Sequence, residues 1–316
     1  SIVKKDAFVI SSLSPYIVQM LVRESYVYLL FHNPLRCPLK QSFLIALSAD
    51  DLILKGSQVL TNTISHPLTG SSSSYHYTPV RTLLYEDFLV VVFYEQDFSP
   101  LILYNSTTLQ PTGQYVYFQV DRVEGQQTIT TFISQFHHAI LVDDTMWLFS
   151  ENNLLIVSMK NVLSSFLTHN VTFTNIKFSE GFIHSLTYDA KKHRVYAMAH
   201  SRLFIFDANT ATIVPYSTCS RIKEYDSTWG LQGPLTIDAN KGHGYIYPSG
   251  SIQRLSLRNY EVSGGDGTYF TDVALQESMR RGSYVSSMHI NNANVSAIHT
   301  STHQLIVGVH PTSIDF

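Results

Sequence analysis

Charge is scarce in this chain. Asp, Glu, Lys and Arg supply 14 % of its 316 residues, and the net charge is −3, where a soluble domain usually carries about a quarter. Nothing resembles the basic stripe that neutralises phosphates, so nucleic-acid binding is excluded. Cysteine is nearly missing: Cys37 and Cys219 form neither a CxxC nor a zinc spacing. No apolar run approaches the ~20 residues that cross a bilayer as a helix. A Gly-Lys-Ser/Thr phosphate loop, a His-Glu-x-x-His pair and a nucleophile elbow are all lacking. Starting at Ser1 with neither Met nor signal peptide, the chain is expected to be a processed protein or an excerpt of a longer one.

Aromatic and β-branched residues are abundant by contrast. The 19 Tyr and 18 Phe stand among short runs of Val, Ile and Thr, a composition that favours strands. A unit then recurs: apolar strand, acidic turn, apolar strand, short polar loop, third apolar strand. Its clearest copies begin at Ser185-Leu-Thr-Tyr-Asp-Ala and Pro234-Leu-Thr-Ile-Asp-Ala. Each continues into a second strand, Arg194-Val-Tyr-Ala-Met or His243-Gly-Tyr-Ile-Tyr, and a third, Arg202-Leu-Phe-Ile-Phe or Ser251-Ile-Gln-Arg-Leu-Ser-Leu. Weaker copies start near Met20, Leu83, Ile140 and Ser296. They lie about 55 residues apart, within the range of propeller repeats.

These units predict an all-β, six-bladed β-propeller filling residues 1–316 as a single domain. Its blades span 15–62, 78–124, 136–179, 183–220, 232–291, and 294–316 with 6–13. Fourth strands are expected at Leu52–Leu60, Gln114–Val123, Val171–Phe178, Thr212–Thr218 and within Thr268–Ile290. No residues remain after Phe316 for the last blade, so Asp6–Leu13 is expected to close it and leave only short outer edges. Continuous apolar runs such as Val90-Val-Val-Phe mark inner strands packed on both faces. The acidic column Glu86, Asp143, Asp189 and Asp238, with Arg23 and His299 at the equivalent places, has two readings. One is a ring of metal ligands; the other, favoured by its recurrence, is turn scaffolding by carboxylates that accept backbone N–H bonds.

Leu186-Thr-Tyr-Asp followed by Arg194-Val-Tyr-Ala-Met resembles a blade of the YWTD (low-density-lipoprotein-receptor) and NHL six-bladed propellers, as does Pro234–Tyr245. No copy holds the Tyr-Trp-Thr-Asp tetrapeptide, and the resemblance implies fold more than function. In such propellers the d–a and b–c loops share one face. The expected d–a loops, Asn62–Tyr77, Glu124–Thr131, Pro215–Gly233 and Ser263–Ser283, are long, as functional loops on rigid scaffolds are. They carry Tyr75, His76, Tyr225, Trp229, Tyr269, Arg280 and Arg281; the b–c loops add Arg36, Phe98 and Arg202. Aromatics and Arg are preferred interface anchors; alternatively some of them, Trp229 above all, pack the loops down. Arg36, Tyr75, His76, Phe98, Tyr225, Trp229 and Tyr269 are the candidate partner-binding set.

Asn105, Asn170 and Asn294 head glycosylation sequons. With the low lysine content they point to the secretory pathway. Cys37 and Cys219 fall on blades opposite each other, beyond the ~7 Å reach of a disulfide unless loops cross the mouth. His137, His138 and His184 stand near the starts of the first strands of blades three and four, with His76 and Asn294 as further candidates near the axis. The peptide-amidating lyases, which hold zinc on the axis of an NHL-type propeller, are similar in architecture, and zinc needs three or four converging ligands. The calcium-dependent lactonases of the paraoxonase type place carboxylates at the channel mouth, a level where this chain has none. The sialidase Asp-box is also missing: Ser263-Gly-Gly-Asp-Gly has the wrong spacing. The reading is therefore a non-catalytic extracellular recognition module with a protein partner and no cofactor. The alternative is a metal-dependent lyase or hydrolase with a histidine site.

Overall fold

The computed structural model describes residues 3–9, 16–23, 25–33, 41–51, 53–60, 78–94, 99–124, 127–151, 153–165, 171–178, 183–199, 202–214, 235–238, 242–246, 253–257, 262–263, 285–290, 295–300 and 304–309. In chain order the first strands are β1 (Val3–Val9), β2 (Tyr16–Arg23), β3 (Tyr26–Asn33), β4 (Gln41–Ser48) and β5 (Leu54–Val59). There follow β6 (Thr78–Tyr85), β7 (Phe88–Tyr94), β8 (Leu101–Asn105), β9 (Pro111–Val116), β10 (Phe118–Glu124) and β11 (Gln127–Ile133). Next come β12 (His138–Val142), β13 (Thr145–Phe149), β14 (Asn153–Ser158), the helix α1 (Met159–Ser165) and β15 (Thr174–Lys177). The remainder is β16 (Ile183–Asp189), β17 (Arg194–Ala199), β18 (Arg202–Asp207), β19 (Leu235–Asp238), β20 (His243–Ile246), β21 (Gln253–Ser256), β22 (Val262–Ser263), β23 (Val285–Ile290), β24 (Val295–Thr300) and β25 (Gln304–Val309).

The protein is all-β apart from α1. Its sheets are β2-β3-β4-β5, β6-β7-β8-β9, β12-β13-β14-β15, β16-β17-β18, β19-β20-β21-β22 and β1-β25-β24-β23, with β10-β11 as a separate pair. Each sheet with a recorded register is antiparallel, so each is a chain of hairpins. The chain divides into two compact units. One comprises Ser1–Tyr28, Leu47–Ile53 and Phe182–Phe316; the other comprises Leu29–Ala46 and Leu54–Gly181. In the first unit the leading strands are neighbours in series, β16 beside β19, β19 beside β23 and β23 beside β2. In the second, β6 lies beside β12.

The second strand of a sheet is the most deeply buried. Leu89, Val90, Val91 and Val92 of β7 are wholly covered, as are Leu148 and Phe149 of β13 and Val195, Tyr196 and Ala197 of β17. A strand covered on both faces has no place for alternating polar residues, which is why these segments read as continuous apolar runs. Each such Val, Leu or Phe contributes about 1.5–3 kcal/mol. The fourth strand β5 alternates between exposed and half-buried residues, as an outer strand does. The leading strand β6 is less covered than β7, so the apolar continuity belongs to the second strand more than to the first.

One backbone hydrogen bond recurs in five sheets. The N–H just past the third strand donates to a carbonyl in the turn between the first and second. The pairs are Ala49 to Ser25 (2.7 Å), Ser106 to Asp87 (2.9 Å), Met159 to Asp144 (2.8 Å), Ala208 to His193 (2.9 Å) and Leu257 to Gly242 (3.0 Å). The residue before each donor is small and polar: Ser48, Asn105, Ser158, Asp207 or Ser256. Two of these begin the same turn. Asn105 Oδ1 accepts from the N–H groups of Thr107 and Thr108 at 3.0 and 2.8 Å. Asp207 Oδ1 accepts from Asn209 and Thr210 at 2.9 and 3.1 Å. Both turns then pass through a left-handed residue, Leu109 (φ 57°) or Ala211 (φ 55°). In the third sheet α1 stands in place of that turn and buries Met159 and Val162 on one side, a spacing of three that shares a helix face.

In the acidic column the carboxylate of Asp189 scaffolds its turn, Glu86 and Asp143 stand in turns, and Asp238 ends β19. Glu86 and Asp143 hold left-handed positions, φ 50° and 51°, in two-residue turns, and Asp tolerates that region better than most residues. Asp189 is 1 % exposed and its Oδ1 accepts from the N–H groups of Lys191 and Lys192. Arg23 ends β2, but His299 does not occupy a turn: it lies within β24, opposite Ser287 and Leu305.

Other expectations are corrected. The last sheet begins one strand earlier than Ser296, because Val285–Ile290 leads it and pairs with Val295–Thr300. The fourth strand of the preceding sheet is accordingly the short β22. The N-terminal strand is Val3–Val9, paired antiparallel with Gln304–Val309 over registers from Val3↔Val309 to Val9↔Gln304. Gln114–Val123 is not one strand: β9 ends the second sheet at Val116, and β10 leaves it to pair with β11. Most of the loop expected at Glu124–Thr131 is thus β-structure. Thr212–Thr218 shows only the bridge Phe206↔Ile213 among the described residues.

Two outcomes are expected. The hydrogen bonds from Thr210 and then Asn209, aided by Arg194, hold the Asp207 carboxyl below its ordinary value of 3.8. Its stabilising contribution is therefore present above that value and lost as the pH falls through the lower folded one. Asp207→Asn keeps the acceptor and cannot titrate, so its melting temperature should fall less steeply below about pH 4; identical acid limbs for the two proteins would refute this. Deleting Ser1–Val9 strips the partner from β25 and should lower the melting temperature by at least about 5 °C, measured by circular dichroism.

Candidate functional site

The histidine level of the second unit forms at the start of two neighbouring leading strands. In β6 the register slips between Pro79 and Arg81, so Val80 is an extra, bulged residue. Bulges bend a strand and re-aim side chains, and here the next residue, Arg81, reaches His138 at the start of β12. Arg81 Nε donates to His138 Nε2 at 3.1 Å, a second guanidinium nitrogen also meets Nε2, and Nη1 donates to the Val80 carbonyl at 3.0 Å. His138 and His137 are 4 % and 5 % exposed. Guanidinium only donates, so the imidazole nitrogen facing it accepts and the ring is neutral. A fixed positive charge thus stands where a metal ion on that nitrogen would sit.

His137 anchors its strand by donating its backbone N–H to the Phe149 carbonyl at 2.9 Å. His184 is the bulged residue of β16, where the register slips between Ile183 and Ser185. Beside it Ser185 Oγ accepts the Leu235 N–H at 2.8 Å and joins β16 to β19. Among the described residues, no group of three or more His, Cys, Asp or Glu is placed to hold a metal ion.

The expected binding loops fall largely outside the described residues. That is so for Arg36, Tyr75, His76, Phe98, Tyr225, Trp229 and Tyr269, for Arg280 and Arg281, for Asn170 and Asn294, and for both cysteines. Arg202 opens β18 opposite Ala199. Asn105 is half-buried at the end of β8, with Thr107 of its sequon exposed.

The described part of that loop level contains an element the sequence reading did not foresee, the β10–β11 hairpin. Phe118 at its base is buried and packs edge-on against Phe136 at 5.7 Å and Phe173 at 5.4 Å. Tyr117 meets Phe132 edge-on at 5.2 Å. Burial, then the neighbouring Tyr115, raises the Tyr117 phenol above its ordinary pKa. Further along, Asp121, Thr128 and Thr131 are exposed and Val120 is 37 % exposed. Across the strands Thr130 Oγ1 donates to Asp121 Oδ1 at 2.6 Å. A two-stranded ribbon is marginal alone, so the aromatic base is what holds it.

At the turn end of the same sheets, Tyr85 donates its hydroxyl to Asp144 Oδ1 at 3.2 Å. Burial, then the bond to and charge of Asp144, then the charge of Glu86, raise this phenol above its ordinary range. That contact joins the turns of the second and third sheets within one unit.

These features define an all-β protein built of repeated antiparallel sheets with a ribbon inserted between two of them. No family model matches the chain, and no curated protein does. Among solved structures it is similar to BamB from Moraxella catarrhalis, with a TM-score of 0.46 and 9 % identity over 100 % of both chains. Among the described residues no helix is long and apolar enough to cross a membrane.

Arg81→Met removes the guanidinium donors from the buried His138 ring, at a cost of about 1–3 kcal/mol. Urea unfolding at neutral pH measures this, and a change below about 0.5 kcal/mol would show the pair to be energetically idle.

Proposed function

We propose that this chain is a six-bladed β-propeller of the kind its blades resemble, with β1 as the outermost strand of the last blade. It works as a non-catalytic protein-recognition module in the secretory pathway. The serial adjacency of leading strands within each unit supports the propeller. The observation that carries the recognition reading is the unequal treatment of the two ends of a sheet. At one end the first and second strands are joined by turns of two to four residues, and the recurrent N–H···O=C bond fastens them. At the other end run the d–a connections, one of which is the aromatic-based hairpin β10–β11. Loops of that kind on a fastened scaffold are where partners bind.

The binding residues in this reading are Arg36, Tyr75, His76, Phe98, Tyr225, Trp229 and Tyr269. Aromatic groups bury area at small entropic cost, guanidinium groups add directed hydrogen bonds, and both dominate binding energy where they are desolvated. Glycans on Asn105, Asn170 and Asn294 belong to the same reading. At Asn105 a glycan on Nδ2 leaves Oδ1 able to accept the Thr107 and Thr108 N–H bonds, so modification and turn are compatible. Asn105 also lies at the fastened end, away from the long connections. Alanine at Tyr225, Trp229 or Arg36 should weaken capture of the partner that co-purifies from the native source, at least tenfold for the best anchor, about 1.4 kcal/mol or more. The circular dichroism should stay unchanged. Full retention of binding by all three variants would sink the proposed loops.

A further inference from the structure

Lysine and arginine are sparse in this chain, 21 of 316 residues, yet Lys191-Lys192-His193-Arg194 form an unbroken run that has no equal elsewhere in the sequence. The run closes the turn between β16 and β17 and begins β17. The fold does not call for it. Glu86-Asp87 and Asp143-Asp144 fill the corresponding turns of the second and third sheets, so such a turn can be made with the opposite charge. What shapes this one is the buried Asp189, whose Oδ1 accepts the N–H groups of Lys191 and Lys192 at 3.0 and 3.2 Å. The left-handed backbone of His193 (φ 49°) completes it. Both devices use backbone groups, and the lysine ammonium groups take no part in them.

The members of the run are not equivalent. Arg194 is half-buried and stands in register with Asp207, whose carboxylate its charge favours. The His193 ring meets the Tyr188 hydroxyl at 3.3 Å. Both are engaged within their own sheet. Lys191 and Lys192 are exposed. Lys192 Nζ donates to the Leu257 carbonyl of the neighbouring sheet at 3.4 Å, and an ammonium has donors to spare beyond that one. The turn after β18 adjoins this one, since the Ala208 N–H donates to the His193 carbonyl at 2.9 Å. It exposes Asn209, Thr210 and Thr212. Arg194 offsets Asp207 and Asp189 is buried, so the two lysines make the surface of this tip positive. Apart from Ala190, the exposed side chains of the two turns, 190–193 and 208–212, are polar.

A polar, positive tip selects its ligand by charge. A protein interface has an apolar core. A membrane surface takes an apolar side chain beside the cations. A single-stranded nucleic acid stacks on aromatic rings. The exposed side chains of these two turns supply none of these. A sulfated polysaccharide needs only cations for its sulfates and hydrogen-bonding groups for its hydroxyls, and short basic runs are one form such patches take. We propose that the Lys191–Lys192 turn is a docking site for a sulfated polysaccharide, with the two ammonium groups on sulfates and Asn209 beside them on a ring hydroxyl. The encounter rests on the secretory reading, because such polysaccharides are extracellular. The site is separate from the partner-binding loops and does not depend on them.

The test applies the whole chain to immobilised heparin. Displacement of two counterions predicts that affinity falls about tenfold between about 50 and 200 mM salt. Lys191→Gln combined with Lys192→Gln keeps the aliphatic stems and the backbone N–H groups that Asp189 accepts. Its far-ultraviolet spectrum and melting temperature should match the unaltered protein, while affinity for heparin at low salt drops about tenfold or more. Lys191→Arg with Lys192→Arg should retain binding. Lys55→Gln with Lys160→Gln removes the same net charge from exposed lysines elsewhere and should leave affinity unchanged. An equal loss in that pair marks a net-charge effect and overturns the proposal. So does a chain that heparin does not retain at low salt, or one that binds phosphatidylserine vesicles or single-stranded DNA as tightly through the same lysines. Heparin binding is measured on the purified chain and the secretory reading on the glycans of the native protein, so the two fail separately.

Discussion

The hydrogen bond from the residue past the third strand to the turn between the first two is the constraint on which the rest hangs. It is the same bond in sheets whose side chains share little, from Ala49–Ser25 to Leu257–Gly242. An antiparallel sheet fixes its neighbouring strands through the ladder, and this bond carries the ladder of the second and third strands one residue further, into the turn. It thereby holds the turn that joins the first strand to the second. It also satisfies backbone groups that would otherwise be left unpaired where a turn is covered. With one end of the sheet fastened, the core clusters can form against a fixed frame. Leu83, Val90, Leu103 and Met146 gather in one unit, and Tyr196, Met198, Leu203 and Ile205 in the other.

The side chains beside that bond show how loosely sequence needs to be matched to hold it. Ser48, Asn105, Ser158, Asp207 and Ser256 share smallness and an oxygen rather than a charge. Asn105 and Asp207 build the same turn with an amide and a carboxylate, both accepting two N–H bonds through Oδ1. The chemistry selected is acceptance near the backbone, which several residue types provide. A repeat written in that alphabet is faint to any method that compares identities.

The strands legible in the sequence were those with the strongest apolar continuity. Val90–Phe93, Met146–Phe149 and Val195–Met198 stand where their composition put them, as second strands buried on both faces. Pairing order was less legible. Val285–Ile290 and Val295–Thr300 are equally β-like, and a local pattern does not say which of two adjacent strands leads a sheet. The hairpin was hidden twice: the run Gln114–Val123 masks the exit from one sheet to another at Tyr117, and the threonines of Gln127–Ile133 read as a loop. Their β-branching was the available signal. The pairing of Arg81 with His138 had none, because a contact across 57 positions depends on a bulge at Val80 that no residue there announces.

The antiparallel pairing of Val3–Val9 with Gln304–Val309 has a consequence for how the protein is made. Val3–Val9 is synthesised long before Gln304–Val309 and waits for it as a partner. Throughout synthesis Asp6–Val9 travels as an unsatisfied β-segment, and such segments recruit wrong neighbours in crowded compartments. Contacts between segments so far apart in sequence also carry a large loop-closure cost. Completion of this sheet therefore has to follow synthesis of Gln304–Val309, and the lysines at positions 4 and 5 keep the waiting segment charged until then.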